Sequence, residues 1–115
     1  MGDGALVLEY ERFVRHGART TFSIAADSSQ VENGEIELWM SSEYFDAIDL
    51  QNISPQPNEV RDAGDRRIMV FLVEDPSTTL TVELSARPRE IIGWISAEAG
   101  VVDGPSIAFD QLSYP

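Results

Sequence analysis

The chain of 115 residues contains no cysteine. Disulfides, thiolate nucleophiles, thiolate metal ligation and iron–sulfur clusters are excluded with it, while the redox character of the compartment stays open. Lysine is absent too, since all eight basic residues are arginine. That removes Schiff-base and lysine-base chemistry. It leaves only planar guanidinium forks, and so complete an absence reads as codon bias in a GC-rich genome. Histidine occurs once, in Arg15-His16-Gly17, a turn with no nucleophile-elbow sequence to partner it, so His16 is assigned no catalytic role. The longest apolar run is six residues, Ile68 to Val73, far short of the ~20 that a membrane-spanning helix needs. The opening MGDGALVLEY has neither a basic n-region nor a long apolar stretch, so it does not read as a signal peptide. It reads as the edge of an excised domain, and we expect a piece of a longer protein anchored through sequence outside this chain.

Positive charge is scarce: 8 Arg stand against 20 Asp and Glu, for a net charge of −12. Such a chain repels phosphate backbones and anionic lipid surfaces, so neither nucleic acid nor direct membrane insertion is expected. The acidity suits a basic partner or a cation, and equally a solubilising surface. Carboxylate pairs abound (Glu9/Glu11, Glu35/Glu37, Asp46/Asp49, Asp62/Asp65), but any acidic chain offers such pairs by chance, and none marks a glycosidase. Asp62-Ala63-Gly64-Asp65 and Asp103-Gly104 supply oxygens of the kind that bind calcium, without matching a calcium-loop spacing. Gly100 and Gly104 have no basic companion and no following helix, so they are no phosphate cradle. Asn52-Ile53-Ser54 matches a glycosylation acceptor formally, but Pro55 directly after it disfavours use. No cofactor and no metal are expected.

What the chain does have is alternation. Leu6, Leu8 and Tyr10 alternate with Val7, Glu9 and Glu11, a mostly polar face, and the phase slips at Phe13–Val14, which calls for a bulge or a second strand partner. Phe22, Ile24 and Ala26 form one face of Thr20–Ala26, and Ile36, Leu38 and Met40 one face of Glu35–Met40. Ser41-Ser42-Glu43 carries a helix-start signal with Tyr44, Phe45 and Ile48 behind it, and a short strand over Asp49–Ile53 follows. A turn is expected within Arg61–Asp65 and another at Asp75-Pro76-Ser77. Leu80, Val82 and Leu84 face inward along Thr79–Ala86; Ile91–Ala97 is apolar again; Glu98–Pro105 reads as a loop; Ile107 and Phe109 share a face of the last strand. Seven or eight short strands at such spacing, with no strand–helix alternation, predict an all-β sandwich.

The segments Phe13-Val14-Arg15-His16-Gly17-Ala18-Arg19-Thr20-Thr21-Phe22-Ser23-Ile24 and Thr78-Thr79-Leu80-Thr81-Val82-Glu83-Leu84 resemble the immunoglobulin-like domains of bacterial surface proteins. In those domains a similar turn-then-threonine pattern joins the first two strands, and a threonine-alternating strand precedes the last hairpin. The antibody cysteine pair is absent. The resemblance implies an extracytoplasmic adhesion, spacer or docking module.

Arg66–Asp75 departs from the pattern. Ile68, Val70 and Leu72 point one way and Met69, Phe71 and Val73 the other, so both faces are apolar. Leaving three such side chains wet forgoes roughly 5–8 kcal/mol, so both Phe71 and Leu72 are expected under cover. Two covers are available: the Ser41–Asp49 segment folded back with Tyr44, Phe45 and Ile48 beneath it, or an intermolecular one, either a membrane-linked neighbour or a second copy of the chain burying Trp39 with Met69, Phe71 and Val73. Trp39, Tyr44, Phe45, Met69, Phe71 and Trp94 are accordingly the candidate binding residues; the same aromatics suit a sugar-stacking platform or plain core and cover.

The sequence thus predicts one domain, residues 1–115: an immunoglobulin-like antiparallel β-sandwich of seven or eight strands with one short crossover helix near 41–49. It is expected to be a non-enzymatic, extracytoplasmic binding or spacer module with a protein partner or a homodimer, the alternative being a small carbohydrate- or calcium-binding module.

Overall fold

A computed structural model describes residues 6–73, 79–89 and 93–115. The expected turn at Asp75–Ser77 and the apolar pair Ile91 and Ile92 lie outside the described residues. Two sheets face each other. The first has the order β1 (Leu6–Glu9), β3 (Thr20–Ala26), β8 (Leu80–Pro88), β5 (Ile48–Ser54). The second runs β2 (Phe13–Arg15), β10 (Ser106–Tyr114), β9 (Gly93–Val101), β4 (Glu35–Ser41), β7 (Arg66–Leu72), β6 (Glu59–Asp62). A single short α-helix among the described residues, α1 (Ser42–Ala47), links β4 to β5, and a 3-10 turn spans Ser28–Gln30. This is the expected all-β sandwich with its crossover helix. The strands number ten among the described residues because two short segments, read as a phase slip and as the approach to a turn, became β2 and β6.

The slip at Phe13–Val14 marks a change of sheet. After β1 pairs with β3, the chain crosses over and β2 lies parallel to β10, with Phe13 opposite Leu112 and Arg15 opposite Tyr114. The other strand pairs are antiparallel. Alternation then builds the core in β3, where Phe22, Ile24 and Ala26 are buried, and in β4, where Ile36, Leu38 and Met40 face inward and Trp39 is buried on the other face. Tyr10, Phe22, Tyr44 and Phe109 stack around one point between the sheets, with ring centroids 4.8–5.6 Å apart. Such pairs add about 0.5–1.5 kcal/mol each beyond simple burial.

Three expectations need correction. First, the outer face of β7 is covered only in part. Met69 and Phe71 lie in the core, but on the outer face Leu72 is 59% exposed. Its companions Val70 and Ile68 are buried and half-buried. Neither the helix nor a second copy is needed to cover them. Arg61 on β6 reaches Glu37 on β4 at 2.9 Å, and the strand between β6 and β4 is β7. The pair therefore spans the outer face above Ile68 and Val70, with the arginine stem as apolar cover. Trp39, beside Ile68 in register, lies under the Arg66 guanidinium at 4.0 Å.

Second, α1 does not fold back over the outside of the sheet. Tyr44 and Phe45 are buried in the core cluster with Ile48, so the helix caps the interior. Arg67, on the inner side of β7, closes this end by stacking 4.4 Å from the Phe45 ring. Third, Glu98–Val101 is strand, not loop: β9 continues through Gly100, which lies opposite Ser106 on one side and Trp39 on the other. A Cβ at Gly100 would sit 2.7 Å from the Pro105 carbonyl oxygen, so only glycine fits where the hairpin closes.

Candidate functional site

Of the six candidate binding residues, Tyr44, Phe45, Met69 and Phe71 are core side chains, and Trp39 is buried beneath Arg66. Buried residues cannot form a contact surface, so these five are structural, and the proposed self-association through Trp39, Met69, Phe71 and Val73 has no exposed stripe to use. Trp94 alone of the six is exposed, at 55%.

Trp94 is not isolated. Leu112 on β10 lies opposite both Phe13 on β2 and Trp94 on β9, which sets the three side chains in one row across the outer face of the second sheet. Neighbouring strands are roughly 4.8 Å apart, so the row is about 10 Å wide. The Phe13 and Trp94 rings lean together over Leu112, with centroids 6.3 Å apart and planes at 62°. Tyr114, two residues beyond Leu112, extends the row; Phe13 is 57% and Tyr114 42% exposed. The Arg12 guanidinium stands 5.6 Å from the Trp94 ring. Edge placement explains the exposure: β2 is three residues long and terminates the sheet, and nothing among the described residues packs on its outer side.

Along the same face the chemistry changes sign. Ser96 and Glu98 follow Trp94 on β9, and Asp110 and Ala108 precede Leu112 on β10. With Ser41, Ser42 and Glu43 at the start of α1, Asp46 in its last turn and Asp65 from the β6–β7 turn, they line a concavity of about 510 Å³. Its lining carries five carboxylates and no arginine. The floor is held rigid: the Ser96 hydroxyl donates to Asp110 Oδ1 at 2.7 Å, and the Glu98 backbone N–H donates to Ser41 Oγ at 2.8 Å. Among the described residues no group of three His, Asp or Glu side chains is placed to hold a metal ion.

Sequence reasoning missed Phe13, Leu112 and Tyr114. In β10 the usual order is inverted, since Gln111 and Ser113 face the core and Leu112 and Tyr114 face out. Gln111 is accommodated because its Oε1 accepts the Tyr44 hydroxyl at 3.2 Å and its Nε2 donates to the Glu11 carbonyl at 2.7 Å. The carboxylate of Glu11 in turn accepts the buried Thr20 hydroxyl at 2.9 Å. Burial raises the pKa of Tyr44 well above that of a free phenol, so this hydroxyl stays protonated and serves as a structural donor.

No protein-family model matches the chain, and no curated protein matches it. Among solved structures the chain is similar to the cohesin module from a Clostridium perfringens family 33 glycoside hydrolase. The two share 13% identity over 95% of each chain, with a TM-score of 0.55. At that identity the likeness shows a common β-sandwich fold, end to end.

Proposed function

We propose that this chain is a non-enzymatic binding module that docks a protein partner on the outer face of β2, β10 and β9, outside the cytoplasm and as part of a longer protein. The observation that carries this reading is the row of exposed Phe13, Trp94 and Tyr114 around half-buried Leu112 on one sheet face. Each such side chain forgoes about 1.5–3 kcal/mol by staying wet, a driving force that a partner recovers on docking. Aromatic anchors are also the commonest hot-spot residues. The extracytoplasmic assignment rests on the resemblance to bacterial surface domains. The cohesin neighbour, itself described as a module of a larger enzyme, is consistent with a part appended to a longer chain. No helix among the described residues is long and apolar enough to cross a membrane.

A sugar platform fits the row less well. The Phe13 and Trp94 planes meet at 62°, so they offer no common flat surface for a pyranose ring. Calcium fits less well for want of three grouped ligands among the described residues.

The test is site-specific photo-crosslinking in the native host, with benzoylphenylalanine in place of Trp94 or, on the opposite sheet, of Thr81. A discrete protein adduct from position 94 and none from position 81 supports docking on this face. No adduct from position 94, or equal adducts from both, overturns it. Melting with calcium and a glycan panel covers the alternatives, since a ligand at 100 times its Kd adds about 2.7 kcal/mol. A glycan shift lost in Trp94→Ala would replace the protein partner with a sugar.

A further inference from the structure

We infer that the partner lays an extended basic segment along this face, with an apolar anchor on the aromatic row and arginine or lysine side chains over the adjoining carboxylates. The inference rests on the docking role proposed above and names the chemistry of the partner. Three features of the face carry it.

The first is geometry. Trp94, Ser96 and Glu98 point outward from β9, and Leu112, Asp110 and Ala108 lie opposite them in register on β10. Asp110 is therefore two residues along the strand from Leu112, and Glu98 four from Trp94. At about 3.3 Å per residue these are steps of roughly 7 and 13 Å. An extended peptide has the same period of two, so an apolar side chain over Trp94 places the second and fourth residues after it over Asp110 and Glu98.

The second is sign. The lining beyond the aromatic row holds Glu43, Asp46, Asp65, Glu98 and Asp110 without a basic residue. Asp65 has Arg66 nearby, at 3.8 Å. Among the described residues the Asp110 side chain accepts from one donor, the neutral Ser96 hydroxyl. A guanidinium laid here meets several carboxylates, of which Asp110 is held in place by the Ser96 hydroxyl, and charge-assisted pairing is available to it. The whole chain, at −12, adds long-range attraction for a basic partner and speeds encounter.

The third feature disfavours the other occupant. A two-fold dimer through this face would set the same patch against itself. That would bring two acidic concavities into one interface between chains that each carry −12.

The test uses the whole chain and a fluorescein-labelled peptide in which a leucine is followed by arginines two and four places on, with serines between. A second peptide replaces the arginines by glutamate. Binding is read by anisotropy at 20 and 300 mM salt. We expect the arginine peptide to bind and to weaken at the higher salt, and the glutamate peptide not to bind. Asp110→Asn with Glu98→Gln should weaken binding at least tenfold, and Trp94→Ala likewise. Glu9→Gln with Glu83→Gln makes the same charge change on the opposite sheet, where both residues are exposed, and should change binding less than twofold. If the two double variants weaken binding equally, general acidity and not this face is responsible, and the inference falls. If both peptides bind alike and only Trp94→Ala matters, the basic partner is wrong while the docking face stands. If neither peptide binds although position 94 cross-links a protein, the inference likewise falls alone. Concentration-dependent self-association abolished by Trp94→Ala would make a second copy the occupant and overturn it.

Discussion

Replacing Tyr44 by phenylalanine probes the joint between helix and sheets. The Tyr44 ring is fully enclosed, and its hydroxyl donates to Gln111 Oε1 at 3.2 Å. Phenylalanine keeps the ring contacts with Phe22 and Phe109. It removes only the donor, leaving the Gln111 oxygen buried without that partner. An orphaned buried acceptor costs about 1–3 kcal/mol. Unfolding entropy scales with length, and for a chain of this size 1 kcal/mol corresponds to about 4 °C in Tm. Tyr44→Phe should therefore melt about 4–12 °C lower at pH 7.

The same substitution has an alkaline signature. Burial raises the Tyr44 pKa in the folded state, so above pH 10 the phenol ionises in the unfolded chain and not in the folded one. The unfolded state then binds fewer protons, and stability falls as pH rises, by up to about 1.4 kcal/mol per pH unit from this group. Phenylalanine cannot ionise, so the gap between the two proteins should be widest below pH 10 and should narrow above it. Thermal melts at pH 7, 9 and 10.5 measure both effects. Equal melting temperatures at pH 7, or a gap constant through pH 10.5, would refute the reasoning about this buried hydroxyl.

Other substitutions follow from the packing. Phe71→Ala, which empties a core site, should cost about 3–5 kcal/mol by denaturant titration; Leu72→Ala, one residue on, should stay within about 0.5 kcal/mol because Leu72 is exposed. Gly100→Ala forces a Cβ to 2.7 Å from the Pro105 carbonyl oxygen and 2.8 Å from Ser106 Cβ, and should destabilise by about 1–3 kcal/mol, seen as a lower urea midpoint at unchanged slope. Trp94→Ala should leave the melt within about 2 °C of the parent, since the side chain is surface-borne; a large drop would make Trp94 a structural residue.

Period-two alternation made both sheets legible, because β1, β3, β4 and β8 each bury one face against the other sheet, and no stronger local preference competes. The helix was legible as an element but not in its direction: a cap of serine and glutamate says where a turn begins, not whether Tyr44 and Phe45 face the gap between the sheets or the outside of one. The cover over Ile68 and Val70 was missed because it is made by an arginine–glutamate pair reaching across β7, and charged residues far apart in sequence give no sign of meeting. The docking row was missed for the opposite reason. Gln111 is buried on hydrogen bonds to Tyr44 and Glu11, distant in the chain, and Ser113 is buried beside it, so polarity pointed the wrong way for Leu112 and Tyr114. Phe13, on a three-residue edge strand paired in parallel with the last strand, could not be placed before its partner was known.

The docking face is tested most directly by two-dimensional NMR of the labelled chain during titration with the arginine-bearing peptide. The two tryptophan indoles, one exposed and one buried under Arg66, report independently. We expect the Trp94 indole and the amides of Asp110 and Leu112 to shift in a saturable way, while the Trp39 indole and Thr81 stay in place. Shifts centred on Thr81 and Glu83, or a Trp94 indole that does not move at saturation, would contradict it.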